Sequence, residues 1–164
     1  GIADAGDLRA RFERMQSRIA EAAPDARIEG YSLQAQEAGE LELIVGARHD
    51  AQFGAQVVVG AGGVLVELLK DVAVLPAPVD ADSARRAIAQ LKVAPLLGAY
   101  RGRGPLDVEA VVDAIVRLGW LAHDLSRSAA PGEEDFEIEV NPLKVRLAGQ
   151  GAVAVDARAR IGGA

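Results

Sequence analysis

Oxygen-bearing side chains gather near the end of the chain. Glu137, Glu139 and Asn141 alternate with Phe136, Ile138 and Val140, the period of a strand that buries the apolar set and aligns the polar set on its other face. Residues 143–147, a turn around 148–151, and residues 152–156 read as a hairpin. With that turn centred between Gly149 and Gln150, Asp156 falls opposite Leu143, and its parity puts it on the face that Asn141 also occupies. Asn141, Asp156 and Glu139 then offer hard oxygen donors. Such donors suit a magnesium ion that keeps several waters and is completed by substrate phosphates. The same polar row also fits the solvated face of a half-covered sheet, and Asn141-Pro142 is an ordinary turn pair.

Three other features carry candidate chemistry. Gly60-Ala61-Gly62-Gly63 lies between two apolar runs, so its backbone amides can approach a phosphate without side-chain obstruction. It is neither a Rossmann fingerprint, which needs glycine where Leu65 stands, nor a P-loop, which needs a Gly-Lys-Ser/Thr ending. A tight connection or bulge between strands explains it equally well. Glu42, between Leu41 and Leu43, points to the face opposite those residues and is placed either to accept hydrogen bonds from a ribose or to face water. Glu67 stands among Val64, Leu65, Val66, Leu68 and Leu69. A carboxylate in so apolar a run lines a site, pairs with a cation such as Lys70, or lies on an exposed face. His49 and His123, the only histidines, lack a serine and acid in a triad pattern and read as structural. Trp120 and Tyr100 read as packing aromatics.

The elements that position these residues follow from periodicity. Leu8, Phe12, Met15 and Ile19 form the stripe of an amphipathic helix ended at Pro24. Residues 28–35 and 41–48 read as two strands, residues 50–54 as a turn, residues 56–59 as a short strand, and residues 64–69 as a buried strand that Pro76 and Pro78 prevent from continuing. Asp80 or Asp82 caps a helix through about residue 92, and Asp107 caps a longer one through about residue 126. This order, with several hairpin-like connections, predicts an α+β fold with a mainly antiparallel sheet flanked by helices.

Composition narrows the partners. The chain has 164 residues and a formal net charge of −6, enough for one core of ordinary size and the wrong sign for a broad phosphate-neutralising surface. Nucleic acid is therefore not expected as a partner, and scarce aromatics remove a base-stacking platform. There are no cysteines, which excludes disulfides and thiolate metal sites. No apolar run approaches the ~20 residues of a membrane span and no signal-peptide pattern opens the chain, so no membrane partner is expected and the cytoplasm is the expected compartment.

Six segments in order resemble the ATP-grasp domain of NDP-forming acyl-CoA synthetases, a group that includes ADP-forming acetate-CoA ligase and is related to the β subunit of succinyl-CoA synthetase. They are Gly30-Tyr31-Ser32-Leu33-Gln34, Glu42-Leu43-Ile44-Val45-Gly46, Asp50-Ala51-Gln52-Phe53-Gly54, the stretch from Gly60 to Asp71, Leu96-Leu97-Gly98-Ala99-Tyr100-Arg101-Gly102, and Glu137-Ile138-Glu139-Val140-Asn141-Pro142-Leu143. The resemblance implies a partial ATP-grasp domain over residues 1–164. A helix from the lobe junction (1–27) would precede the larger, nucleotide- and magnesium-binding lobe (28–164). It implies Asn141 and Asp156 as magnesium ligands with Glu139 supporting the metal or phosphate, Glu42 at the ribose, and Gln34 at the adenine pocket. The nucleotide set is completed by Gly60, Gly62, Gly63 and Glu67, and the cofactors are Mg2+ with ATP or ADP. The implied reaction interconverts acyl-CoA, ADP and phosphate with acid, CoA and ATP, through an acyl phosphate and a phosphohistidine. The smaller lobe with its phosphate-binding lysine, and the CoA-binding and phosphohistidine domains, are then expected as partners, and no ligase turnover is expected of the isolated chain. Ala51 and Ala55 stand where prolines are usual, Glu139 where aspartate is commoner, and Leu75 where arginine is frequent. These departures open a second expectation, a non-catalytic ATP-grasp-like regulatory or interaction module such as occurs in acetyltransferase fusions.

Overall fold

The computed structural model describes residues 1–63, 70–129 and 135–162. Their contacts divide the chain into two compact units, Gly1–Gln36 and Glu37–Ala164, a break later than the anticipated 27/28 boundary.

The first unit is built on helix α1 (Ala5–Ala22), whose start is fixed by Asp4 accepting from the N–H groups of Gly6 and Asp7 at 2.7 and 2.9 Å. The expected apolar stripe is present, but the helix buries no residue. Phe12 meets Tyr31 edge to face at 4.6 Å, and a groove of about 520 Å³ is lined by Ile2, Leu8, Phe12, Met15, Tyr31 and Leu33. The strand expected at residues 28–35 does not form. The segment is exposed, and among the described residues no neighbouring backbone pairs with it. Alternation sets which side chains share a face, whereas a strand exists only where a second backbone accepts its hydrogen bonds.

The second unit is a six-stranded sheet in the order β3-β2-β1-β4-β5, with β6 also pairing β4. Its strands are β1 (Leu41–Asp50), β2 (Gly54–Ala61), β3 (Val72–Pro76), β4 (Phe136–Val145), β5 (Ala152–Ala154) and β6 (Ala157–Ile161), and every pairing among the described residues is antiparallel. Helices α2 (Ala81–Gln90) and α3 (Val108–Ser128) pack on one face. Leu43, Val45, Val57, Val59, Val111, Ile115 and Val145 are fully buried between the layers, each contributing about 1.5–3 kcal/mol by leaving water. The fold is therefore α+β with an antiparallel sheet, as the element order predicts.

Local chemistry explains the boundaries. Asp50 accepts from Gln52 and Phe53 N–H, both at 2.9 Å, and closes the β1–β2 turn. Asp80 caps α2 through Ser83 N–H at 2.7 Å. Asp107 caps α3 through Ala110 N–H at 3.2 Å and also holds Gly151 N–H at 2.8 Å, so the start of a helix is pinned to the β4–β5 turn. One strand is unexpected and one expectation requires correction. Residues 72–76, given no element from sequence, form the edge strand β3, which ends at Pro76 opposite Gln56, where a missing N–H costs no ladder bond. Tyr100 and Trp120 do not pack in the core; they are 43% and 53% exposed, Tyr100 under the Arg101 guanidinium and Trp120 against His123. The strand anticipated at residues 64–69, with Glu67, lies outside the described residues.

Asp71 anchors the chain where it re-enters the sheet. Its buried carboxylate accepts from Lys92 N–H at 2.8 Å and Val93 N–H at 3.0 Å, while its carbonyl accepts from Ala61 N–H. Asp71→Ala removes the acceptor of both N–H groups and is expected to cost about 2–3 kcal/mol in chemical denaturation, with Asp71→Asn milder because one acceptor survives. Acid titration tests the Asp107 link. Hydrogen bonds from Gly151 and Ala110 hold its carboxyl below the usual 3.8. A depressed pKa contributes stability that is present above the unfolded value and is lost as pH falls through the folded one. Below about pH 4 the Asp107→Asn variant should therefore lose stability less steeply than the unaltered chain, as read from thermal midpoints against pH.

Candidate nucleotide and metal site

The face of the sheet opposite the helices carries the polar row. Register places Glu42 opposite Lys144, Gly46 opposite Glu139, and Arg48 opposite Glu137 across β1 and β4. On the other side of β4, Glu139 faces Arg158 and Glu137 faces Arg160 in β6. Ile44 and Val58 lie on the same face, and a cleft of about 170 Å³ opens there between Ile44, Gly46, Arg48, Val58, Glu137 and Glu139.

Asn141 sits where the pairing of β1 with β4 shifts register, between Leu43 and Val45. The following Pro142 has no N–H to give to β1, which suits an irregular position. Across the hairpin, Asn141 N–H donates to the Asp156 carbonyl at 3.1 Å. The hairpin register expected from sequence is two residues out: Leu143 pairs with Ala154, not Asp156. The turn is closed by Gln150 N–H on the Leu147 carbonyl at 2.9 Å, with Gly149 at φ 80°, so it centres one residue earlier than anticipated, with glycine at the turn position that requires positive φ. The observed register, Leu143 with Ala154 and Val140 with Ala157, continues as Asn141 against Asp156. The irregularity turns Leu143 into the core, so the two residues meet through this pairing and not through the parity of Leu143.

Hydrogen bonds organise these oxygens. The Asn141 amide donates from Nδ2 to Glu139 Oε1 at 3.3 Å, turning Oδ1 to accept Gly63 N–H, also at 3.3 Å. The other oxygen of Glu139 pairs with Arg158 at 3.1 Å. Asp156 is exposed, and its carboxylate has no hydrogen-bond or ion-pair partner among the described residues. No group of three His, Cys, Asp or Glu residues suited to a metal occurs among the described residues. One amide oxygen, one unpartnered carboxylate and one carboxylate shared with an arginine make a sparse donor set, the kind that fits a magnesium ion completed by water and phosphate rather than an all-protein cage.

The glycines divide by role. Gly62 N–H donates to the Glu42 carbonyl at 2.9 Å, and a Cβ there would lie 2.5 Å from the backbone of Leu43, so the loop lies directly on β1. Gly63, at φ 58°, borders the Glu42 carboxylate so closely that a Cβ would overlap Oε2. Gly60 belongs to β2, between Ile44 and Val72, with no room for a side chain against the Asp71 carbonyl. Thus Glu42, Gly62, Gly63, Asn141, Glu139 and Asp156 come together, and Gln34 lies in the first unit, where its amide donates to Ser32 at 3.1 Å. Sequence reasoning passed over Arg158 and Lys144. Parity with Asp156 marks the first, and the cross-strand partner of Glu42 marks the second.

Comparison with known proteins adds to this geometry. Residues 1–161 match the ATP-grasp domain family. The β subunit of ADP-forming acetate–CoA ligase II from Pyrococcus furiosus is 35% identical over 154 residues, which cover 93% of this chain and 62% of the relative. The chain thus spans about three fifths of that relative's length. A dinucleotide-forming acetyl-coenzyme A synthetase 1 from Ca. Korarchaeum cryptofilum superposes with a TM-score of 0.81 at 31% identity, covering 98% of this chain and 68% of the other. Another structure of that synthetase holds coenzyme A and Mg-AMPPCP, with its phosphohistidine segment pointing towards the nucleotide-binding site. It matches with a TM-score of 0.65 at 35% identity, over 76% of this chain and 55% of the other. Together with the antiparallel sheet and its open polar face, these similarities show that the chain belongs to the ATP-grasp domain family.

Proposed function

We propose that this chain is the nucleotide-binding part of an NDP-forming acid–CoA ligase, acting in the cytoplasm as part of a longer assembly. The observation that carries the reading is the convergence of Glu42, Gly63, Asn141, Glu139 and Asp156, distant in sequence, on one open face of the sheet. In this reading the Glu37–Ala164 unit supplies the nucleotide and magnesium lobe. Glu42 accepts the ribose hydroxyls, and the Gly62 and Gly63 amides face the phosphates. Asn141 and Asp156 hold magnesium, with Glu139 fixing the Asn141 amide.

Magnesium, when bound, would supply the charge neutralisation on which phosphoryl transfer depends. The remaining work belongs to side chains. Arg158, held by Glu139, places a cation beside the phosphate region, in a chain where Leu75 offers none. The ligase reaction, acyl-CoA with ADP and phosphate going to acid, CoA and ATP through an acyl phosphate and a phosphohistidine, further requires a smaller ATP-grasp lobe with a phosphate-binding lysine, and CoA-binding and phosphohistidine domains. The similarity to a synthetase whose phosphohistidine segment points at its nucleotide site supports that division of labour.

Calorimetry of the chain with ADP tests the metal assignment. Magnesium is expected to tighten binding, and Asp156→Asn or Asn141→Ala to weaken the magnesium-dependent complex roughly tenfold; binding that ignores magnesium, or variants that behave as the unaltered chain, would refute the assignment. The glycine loop gives a separate check. Gly62→Ala drives a Cβ into backbone and is expected to destabilise the fold by about 1–3 kcal/mol. Gly63→Ala meets only the movable end of Glu42 and should cost stability about 1 kcal/mol through its positive φ, while weakening ADP binding by displacing that carboxylate. Denaturation and binding measured on the same two variants separate these effects.

A further inference from the structure

The carboxylate of Glu42 is held from two sides. Gly63 borders Oε2, and Lys144, its cross-strand neighbour, approaches Oε1 with Nζ at 3.5 Å. The same ammonium donates to the Glu37 carbonyl at 3.2 Å. Glu37 is fixed in turn by the Arg146 guanidinium on its side chain, and Glu40 N–H bonds the Val145 carbonyl at 2.9 Å. Lys144 stands in a slot that only glycine leaves open, since a Cβ on Gly39 would lie 2.6 Å from the Lys144 Cβ. Residues 37–40, β1 and β4 therefore meet at one ammonium group.

We propose that Lys144 is a positioning residue of the nucleotide site, holding the Glu42 carboxylate in the direction that a ribose requires. This rests on the ribose role of Glu42 proposed above. Lysine suits the task because a compact ammonium with three donors satisfies a carboxylate and a backbone carbonyl at once. The contribution is modest, because the two side chains are 23% and 41% exposed and half-exposed ion pairs are worth little. Its signature is selectivity. A group that only orients a ribose acceptor matters for a nucleotide with hydroxyls and is silent for one without them, whereas a group that attracts phosphate matters equally for both.

The experiment titrates the chain with magnesium-ADP and magnesium-2′,3′-dideoxy-ADP. Lys144→Met is expected to weaken ADP binding about threefold to fivefold and to leave dideoxy-ADP binding unchanged, the second result also reporting an intact fold. Lys144→Arg should restore most of the loss. Equal weakening for both nucleotides assigns Lys144 to phosphate charge or to folding and overturns the proposal, as does no weakening of either. Glu42→Gln separates the underlying reading. If it leaves the preference for ADP over dideoxy-ADP intact, the ribose role itself fails; if it removes that preference while Lys144→Met has no effect, only the role of Lys144 is wrong.

Discussion

Two glycine amides tie the candidate site together. Gly62 donates to the carbonyl of Glu42 and Gly63 to the side chain of Asn141, so a loop at the end of β2 is fastened at one point to β1 and at the next to β4. The two differ in tolerance: a side chain at Gly62 strikes the backbone of Leu43, which cannot yield, whereas one at Gly63 displaces the movable Glu42 carboxylate. Close backbone approach is what absence of a side chain permits. Here it brings a backbone donor, a carboxylate and an amide oxygen together.

The two faces of the sheet divide stability from chemistry. Helices α2 and α3 bury the aliphatic residues of β1, β2 and β4 on one side; the Arg85–Glu109 pair links the two helices, and Asp107 links α3 to the turn at Gly151. The opposite face has no helix among the described residues, and its polar groups satisfy one another in a chain from Lys144 through Glu42 and from Arg158 through Glu139 to Asn141. In the proposed site such a network would leave fewer side chains to order on binding.

Much of this was legible in the residues. Alternation in β4 separated Phe136 from Glu137, Glu139 and Asn141, and the capping aspartates marked both helices of the second unit. Parity counted through Leu143 fails, because the irregularity at Pro142 turns Leu143 into the core; Asn141 and Asp156 meet instead because the observed register of β4 with β5 and β6 continues through them. Three features were hidden for physical reasons. Residues 28–35 have strand composition, yet pairing depends on a neighbouring backbone that local sequence does not specify. Residues 72–76 run into Pro76 and Pro78 and read as connection, yet they pair with β2 as an edge strand, where the missing N–H of Pro76 is harmless. The Lys144–Glu42 contact depends on the register of β1 against β4, set across about a hundred residues by core packing and by the irregularity at Pro142.

The central claim is that the oxygens of Asn141 and Asp156 hold a divalent cation only together with nucleotide phosphates. Paramagnetic broadening by Mn2+ in the amide spectrum of the chain tests it most directly. With ADP present, the account predicts that substoichiometric Mn2+ broadens the amides of Gly63, Asn141, Asp156 and Ala157 first and leaves those of Ala84 and Ile88 in α2 sharp. Broadening centred on other residues, or an identical pattern with and without ADP, would contradict it.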